Sequence, residues 1–168
     1  KGDKNGVEDV FVLDRKSGSI ERVSVDSNEV EADARSFNAA ISDDGNLVAF
    51  GSFGRNLVPN DGNGATDVFL RDRAAGTTTC LSVDPSGVPG DGFSSAFWMT
   101  PDASKVAIGS TATNLVANDT NDLDDVFVRD LLSGVTTLAS LNEGGFQLDG
   151  DSGSPSLSAD GSMYLPIT

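Results

Sequence analysis

A chain of 168 residues with a formal charge of -15, no histidine and one cysteine lacks the means for several chemistries. Histidine-based triads, zinc–histidine sites and imidazole proton shuttles are excluded. With 26 acidic against 11 basic residues, the counterion-release term behind nucleic-acid affinity is opposed, so no nucleic-acid partner is expected.

Cys80 cannot form an internal disulfide and leaves the redox compartment open. No apolar run approaches the roughly 20 residues of a transmembrane segment. The acidic excess suits divalent cations, and most of the carboxylates are Asp in turns, where a short side chain caps backbone N–H groups as well as binding metal. A chain that begins at Lys1, inside a repeat and without Met, reads as a processed or excerpted piece of a longer protein.

In chain order, Asp3, Asn5 and Asp9 precede the apolar burst Val10-Phe-Val-Leu13; Asp61, Asn63 and Asp67 precede Val68-Phe-Leu70; and Asp119, Asn121 and Asp125 precede Val126-Phe-Val128. The spacing is a 58-residue period, giving three repeats over approximately 3–60, 61–118 and 119–168. Each unit predicts four short strands. In the first, the burst turns through Arg15-Lys-Ser-Gly18 into the alternating run Ser19–Val25, a hairpin pattern. A polar connection then leads to Ser36–Ser42, where Phe37, Ala39 and Ile41 are expected to share one strand face, as are Ser95, Phe97 and Met99, and Gly153, Pro155 and Leu157. Asp43-Asp-Gly45 turns into Asn46–Phe50, and Ala159-Asp-Gly161 does the same later. The second unit has Pro101-Asp-Ala103 there, for which a changed or mildly strained turn is expected, because Ala adopts positive φ less readily than Gly. Pro166 stands where the other copies have Phe50 and Ile108, which predicts an edge strand or a frayed end.

Apolar spacing of two, interrupted by Gly, Asp, Asn and Ser every dozen residues, gives no support to helix. The fold class expected is all-β: a propeller of four-stranded antiparallel blades, with a sandwich or β-solenoid as alternatives. Consecutive apolar positions in the bursts fit blades covered on both faces. The first hairpin has no preceding partner and the last has no following one. Either the chain belongs to a longer propeller or two copies associate as a homodimer completing a six-bladed ring, Asp9–Val25 of one joining Ser152–Leu165 of the other.

The acidic loops place oxygen donors at positions 1, 3 and 7, with a backbone carbonyl at 5. The candidate metal ligands are therefore Asp3, Asn5 and Asp9; Asp61, Asn63, Ala65 and Asp67; and Asp119, Asn121, Leu123 and Asp125. Such oxygen sets suit calcium; the alternative is Asx-type turns that cap the following strand. Asp14, Asp72 and Asp130 recur at strand ends and are read as turn caps rather than glycosidase acids. Ser24, Ser82 and Ser140 are read as strand-end hydroxyls, and Arg71 and Arg129 as packed against Asp side chains rather than used on phosphate. Cys80 is expected to be partly exposed. Trp98 and Tyr164 form no repeated aromatic platform.

Together, Ile41-Ser-Asp-Asp-Gly45, Leu157-Ser-Ala-Asp-Gly161, Val48-Ala-Phe50 with Ser52, Asn56-Leu-Val58, Asn114-Leu-Val116 and the Asp-Val-Phe runs at Asp9, Asp67 and Asp125 resemble the TolB-like, tryptophan-aspartate-type bacterial propeller repeats. The resemblance covers nearly the whole chain, implies blade architecture and a secreted or periplasmic location, and leaves activity open. The leading expectation is a non-enzymatic module binding a protein or glycan partner, with structural calcium. The alternative is a propeller-borne hydrolase, or a hydrolase's accessory domain, acting on glycan or peptide, with its acids in a central cluster or outside this segment.

Overall fold

A computed structural model describes residues 3–162 and 164–167, the side chains at 96, 97 and 164–167 excepted. The expectations placed on the side chains of Phe97 and Tyr164 lie outside the described residues. Twelve strands and no helix are found among the described residues. They are β1 (Phe11–Leu13), β2 (Ile20–Arg22), β3 (Ser36–Ile41), β4 (Leu47–Ser52), β5 (Asp67–Asp72), β6 (Thr77–Cys80), β7 (Ser94–Met99), β8 (Lys105–Ser110), β9 (Asp125–Asp130), β10 (Thr136–Leu138), β11 (Gly153–Leu157) and β12 (Tyr164–Ile167).

Neighbours in sequence are neighbours in the sheet. β3-β4-β5-β6 and β7-β8-β9-β10 are four-stranded antiparallel meanders, while β1-β2 and β11-β12 stand as two-stranded hairpins. The sheets are thus offset from the sequence period: each four-stranded sheet takes its first hairpin from one repeat and its second from the next. The first strands β3, β7 and β11 lie side by side, and each sheet packs its face on the next.

The core consequently lies between sheets rather than inside any one of them. Val10, Val23, Val48, Phe50 and Phe69 fill the space between the β1-β2 hairpin and the first four-stranded sheet. Ala49, Val68, Leu81, Met99, Val106, Ile108, Leu115 and Phe127 fill the space between the two four-stranded sheets, and Ala107, Val126, Val128 and Leu157 the next. Alternate residues of one strand therefore face different cores, Val48 and Phe50 one way and Ala49 the other. Strands covered on both faces need apolar side chains at consecutive positions, which is why β4 is buried continuously from Val48 to Ser52.

Local chemistry repeats with the strands. Asp44 Oδ1 accepts from Ser42 Oγ (2.6 Å) and Asn46 N–H (2.9 Å) in the β3-β4 turn, and Gly45 supplies its positive φ of 73°. The backbone bond from Gly45 N–H to Ser42 O (2.9 Å) is kept in the β7-β8 turn, from Ala103 N–H to Thr100 O (2.8 Å), and Ala103 sits at φ 54°. The turn is unchanged in path, and the alanine is strained in it. One expectation is corrected in all three copies: irregularities interrupt β3 between Phe37 and Ala40, β7 between Ala96 and Trp98, and β11 between Gly153 and Ser156. Neither Phe37, Ala39 and Ile41 nor their equivalents at 95, 97 and 99 and at 153, 155 and 157 therefore follow one regular alternation. Asn38, at φ 48°, takes up the extra residue. Pro166 lies in β12, which has β11 as its only strand neighbour among the described residues.

Candidate functional site

The three acidic loops share one scaffold. Each Asn turns its side-chain oxygen back onto the loop, Asn5 Oδ1 accepting from Val7 N–H (2.9 Å), Asn63 from Ala65 N–H (2.8 Å) and Asn121 from Leu123 N–H (3.0 Å). Each Asn amide also donates to the carbonyl of the crossover loop: Ala32 O (2.8 Å), Gly90 O (2.7 Å) and Leu148 O (2.9 Å). These are Asx turns that also pin a distant segment. The last Asp of each loop is tied to a buried serine. Ser24 Oγ donates to Asp9 Oδ1 (2.7 Å) and accepts from Val10 N–H (3.2 Å). Ser82 does the same with Asp67 (2.6 Å) and Val68 (3.0 Å), and Ser140 with Asp125 and Val126. Sequence reasoning named these serines without finding their task.

The loops differ in what meets their carboxylates. In the first, Asp3, Asp9 and Glu31 converge with oxygens within 4.8 Å of one another, but the Arg22 guanidinium is already paired with Asp9 (3.3 Å) and Glu31. In the third, the Gln147 amide donates to both Asp119 Oδ1 (2.7 Å) and Asp125 Oδ2 (2.8 Å). The second loop has Cys80 where the first has Arg22, and Pro89 where the others have Glu31 and Gln147. Asp67 is fully buried, and Asp61 Oδ1 is a buried oxygen with no hydrogen-bond partner. Burial, then the neighbouring Asp67, push the Asp61 carboxyl up to about 6, with Arg55 offsetting only part of the effect. Burial likewise raises Asp67, against the bonds from Ser82 and Asn63. In the third loop burial raises Asp119, with Gln147 working the other way.

Other candidates resolve into structure. Asp14, Asp72 and Asp130 each cap the turn that follows, accepting from Lys16 N–H (2.7 Å), Ala75 N–H (2.8 Å) and Ser133 N–H (2.8 Å). Cys80 is half-buried, and burial drives its thiol up to about 12, so no reactive thiolate forms near neutrality. Trp98 is exposed on its strand. The arginines correct an expectation: the carboxylate on Arg71 is Glu29, not an Asp, while Asp26 contributes a backbone carbonyl (3.2 Å). Arg129 has no carboxylate partner among the described residues; its hydrogen bond goes to Thr136 Oγ1 (3.0 Å).

Against solved structures, the chain aligns over 95% of its length with TolB from Acinetobacter baumannii, at a TM-score of 0.56 and 16% identity. Its fold is that of the TolB-like propeller. A TolB of Agrobacterium tumefaciens aligns over 90% of the chain (TM-score 0.52, 21% identity), and the tricorn protease, another propeller, also over 90% (TM-score 0.52, 12% identity). The chain spans 32% of the first TolB, 43% of the second and 12% of the tricorn protease. No family model and no curated protein matches it. The TolB-like fold agrees with the sheet-by-sheet packing above, and no helix among the described residues is long and apolar enough to cross a membrane.

Proposed function

We propose that this chain is a non-enzymatic propeller module, secreted or periplasmic, whose surface binds a protein or glycan and whose middle loop holds a structural calcium ion. The observation that carries the metal is Asp61 Oδ1, buried without a partner, in the one loop with no counterpart of Arg22 or Gln147; the Asn63 amide reaches Asp67 Oδ2 (2.7 Å) but leaves Asp61 unserved. Where Arg22 serves the first loop and Gln147 the third, calcium serves Asp61 and Asp67. The ion neutralises two carboxylates that burial disfavours, and the fold gains stability with ion concentration. The exported location rests on the TolB-like likeness and suits a calcium-bearing medium. Self-association is part of the reading: the β1-β2 hairpin of one copy and the β11-β12 hairpin of another would together make a four-stranded sheet. The recurring acids Asp14, Asp72 and Asp130 spend their oxygens on turns, which supports the module reading over a hydrolase that would use them.

Calorimetric titration of chelator-treated protein with calcium tests the metal. One ion should bind, and Asp61→Asn or Cys80→Arg should abolish binding; no heat from a protein that stays folded would refute it. Stability against pH gives a second readout. Asp61, ordinarily near 3.8, titrates at about 6 in the fold, so between these values the folded state keeps a proton that the unfolded chain has released. Chelated protein should therefore lose stability as pH rises through this window, and saturating calcium should flatten the loss. The carboxyls held low, such as Asp160 at about 2, act in the opposite sense and at pH below 3.8.

A further inference from the structure

The two four-stranded sheets carry the same arginine in different company. In the first, the loop after β2 folds over Arg71, which is 2% exposed. Its Nη1 donates to Thr78 Oγ1 (3.3 Å) and Asp26 O (3.2 Å), and its Nη2 is paired with Glu29. The loop is laced to β6 as well: Thr78 Oγ1 donates to Val25 O (2.6 Å) and Thr78 N–H to Ser27 Oγ (2.9 Å).

One period later the loop has the same path. Asp84 N–H donates to Val88 O (2.8 Å) and Gly87 N–H to Asp84 O (2.9 Å), as Asp26 N–H does to Val30 O (2.8 Å) and Glu29 N–H to Asp26 O (3.1 Å). Three side chains have changed, Asn28 to Ser86 and the two that met the arginine and its strand. Pro85 replaces Ser27, and Gly87, at φ 86°, replaces Glu29, at φ 64°. The hydroxyl that laced the loop and the carboxylate that met the arginine are both gone. Arg129 keeps the threonine contact, Nη1 to Thr136 Oγ1 (3.0 Å), and no carboxylate among the described residues reaches it. Between the loop and β9-β10 a cavity of about 480 Å³ opens, with Arg129 and Thr136 beside the apolar Val83, Pro85, Leu115 and Leu138.

A half-buried guanidinium with part of its donor fork unused is a receptor for a planar anion. Burial lowers its pKa from the ordinary value, a cost that a bound anion would offset. The chain's charge of -15 weighs against multiply charged phosphates and for a single carboxylate, and the apolar walls fit a short aliphatic stem, the chemistry of Glu29 itself. We propose that this cavity binds a carboxylate borne on a short aliphatic stem, which Arg129 receives as Arg71 receives Glu29. The site is separate from the calcium loop and does not depend on it.

Such a carboxylate is either a free organic acid or the acidic side chain of a peptide, and NMR titration of the whole chain distinguishes the two. The probes are butyrate, the blocked peptide acetyl-Ala-Glu-Ala-amide, and butyramide as the uncharged control. Saturable shifts at the Arg129 side chain and residues 84–88 are expected, with a Kd on the order of millimolar for one charge-assisted contact. Butyrate binding as tightly as the peptide assigns the site to free acids; tighter peptide binding assigns it to acidic side chains. Gly87→Glu, which brings the first loop's own carboxylate, should weaken either probe by about tenfold or more, a loss of about 1.4 kcal/mol or more, and Arg129→Lys by about fivefold, a loss of about 1 kcal/mol. Butyramide matching butyrate, no saturable shift with any probe, or unchanged affinity in both variants would overturn the proposal.

Discussion

Glu29 and Arg71 show how a single side chain keeps a strained backbone in place. Glu29 sits at φ 64°, where the equivalent positions are Gly87 and Gly145 at 86° and 76°. A non-glycine residue there costs about 1–2 kcal/mol, so replacement by glycine should stabilise the fold unless the carboxylate returns more than the strain takes. It faces an arginine that is 2% exposed and whose Nε has no partner, and a buried charge left alone is costly. The Glu29 side chain itself is well exposed, so solvent screens part of the gain. Glu29→Gln, which keeps the backbone and removes the charge, should lower stability by about 1–2 kcal/mol. Glu29→Gly should also be destabilising, though by less. A rise in urea midpoint for the glycine variant would mean that the ion pair contributes little and the strain dominates.

At the scale of the element, each second hairpin is closed by the serine bridge from the loop after its last strand to the start of its first. Ser140 is fully buried; its hydroxyl serves both the Asp125 carboxylate and the Val126 N–H. Ser140→Ala strips a buried carboxylate and a buried amide of the same partner, although Gln147 still reaches Asp125. A loss of about 2–3 kcal/mol is expected, read as a lower urea midpoint at unchanged slope. A loss under about 0.5 kcal/mol would mean that water replaces the hydroxyl. This bridge also marks what sequence could and could not convey. The strands were legible, since Val-Phe-Val bursts and Asp-Gly turns state their geometry locally, and so were the turn-capping acids. The partner of a carboxylate was not, because Ser140 and Gln147 reach Asp125 from 15 and 22 residues away and carry no local signature. The same limit applied to the acidic loops. Their shared Asp-x-Asn pattern concealed that Arg22, Gln147 or neither meets the carboxylates, a difference carried by positions outside the pattern. The bulge in β3 escaped alternation counting because Asn38 looks like any polar strand residue until its φ is known.

At the scale of the molecule, equivalent positions differ sharply in exposure according to whether a neighbouring hairpin is present. Phe69 and Phe127 are fully buried, whereas their counterpart Phe11 is 49% exposed; Met99 and Leu157 are 5% exposed, whereas their counterpart Ile41 is 48% exposed. Ile41, Phe11 and Leu13 line one groove of about 300 Å³ between β1 and β3, the place that the first hairpin of a preceding sheet fills elsewhere in the chain. β1 also has a single strand neighbour among the described residues, as has β12, so each leaves a row of backbone groups open to another strand. Further blades of a longer chain would cover these faces; for the 168 residues alone, the proposed cover is a second copy, with β12 of one pairing with β1 of the other. Phe11, Leu13 and Ile41 are each about half exposed, so covering them returns about half of the 1.5–3 kcal/mol of a fully buried side chain. The backbone pairing of β12 with β1 at both junctions adds to this against the cost of docking, favouring association at micromolar concentration. Light scattering at such concentrations should give the mass of two chains, and Ile41→Glu, which sets a charge in the groove without touching the inter-sheet cores, should return it to one. A single-chain mass for the unmodified protein would rule out the ring of two copies while leaving each sheet as described.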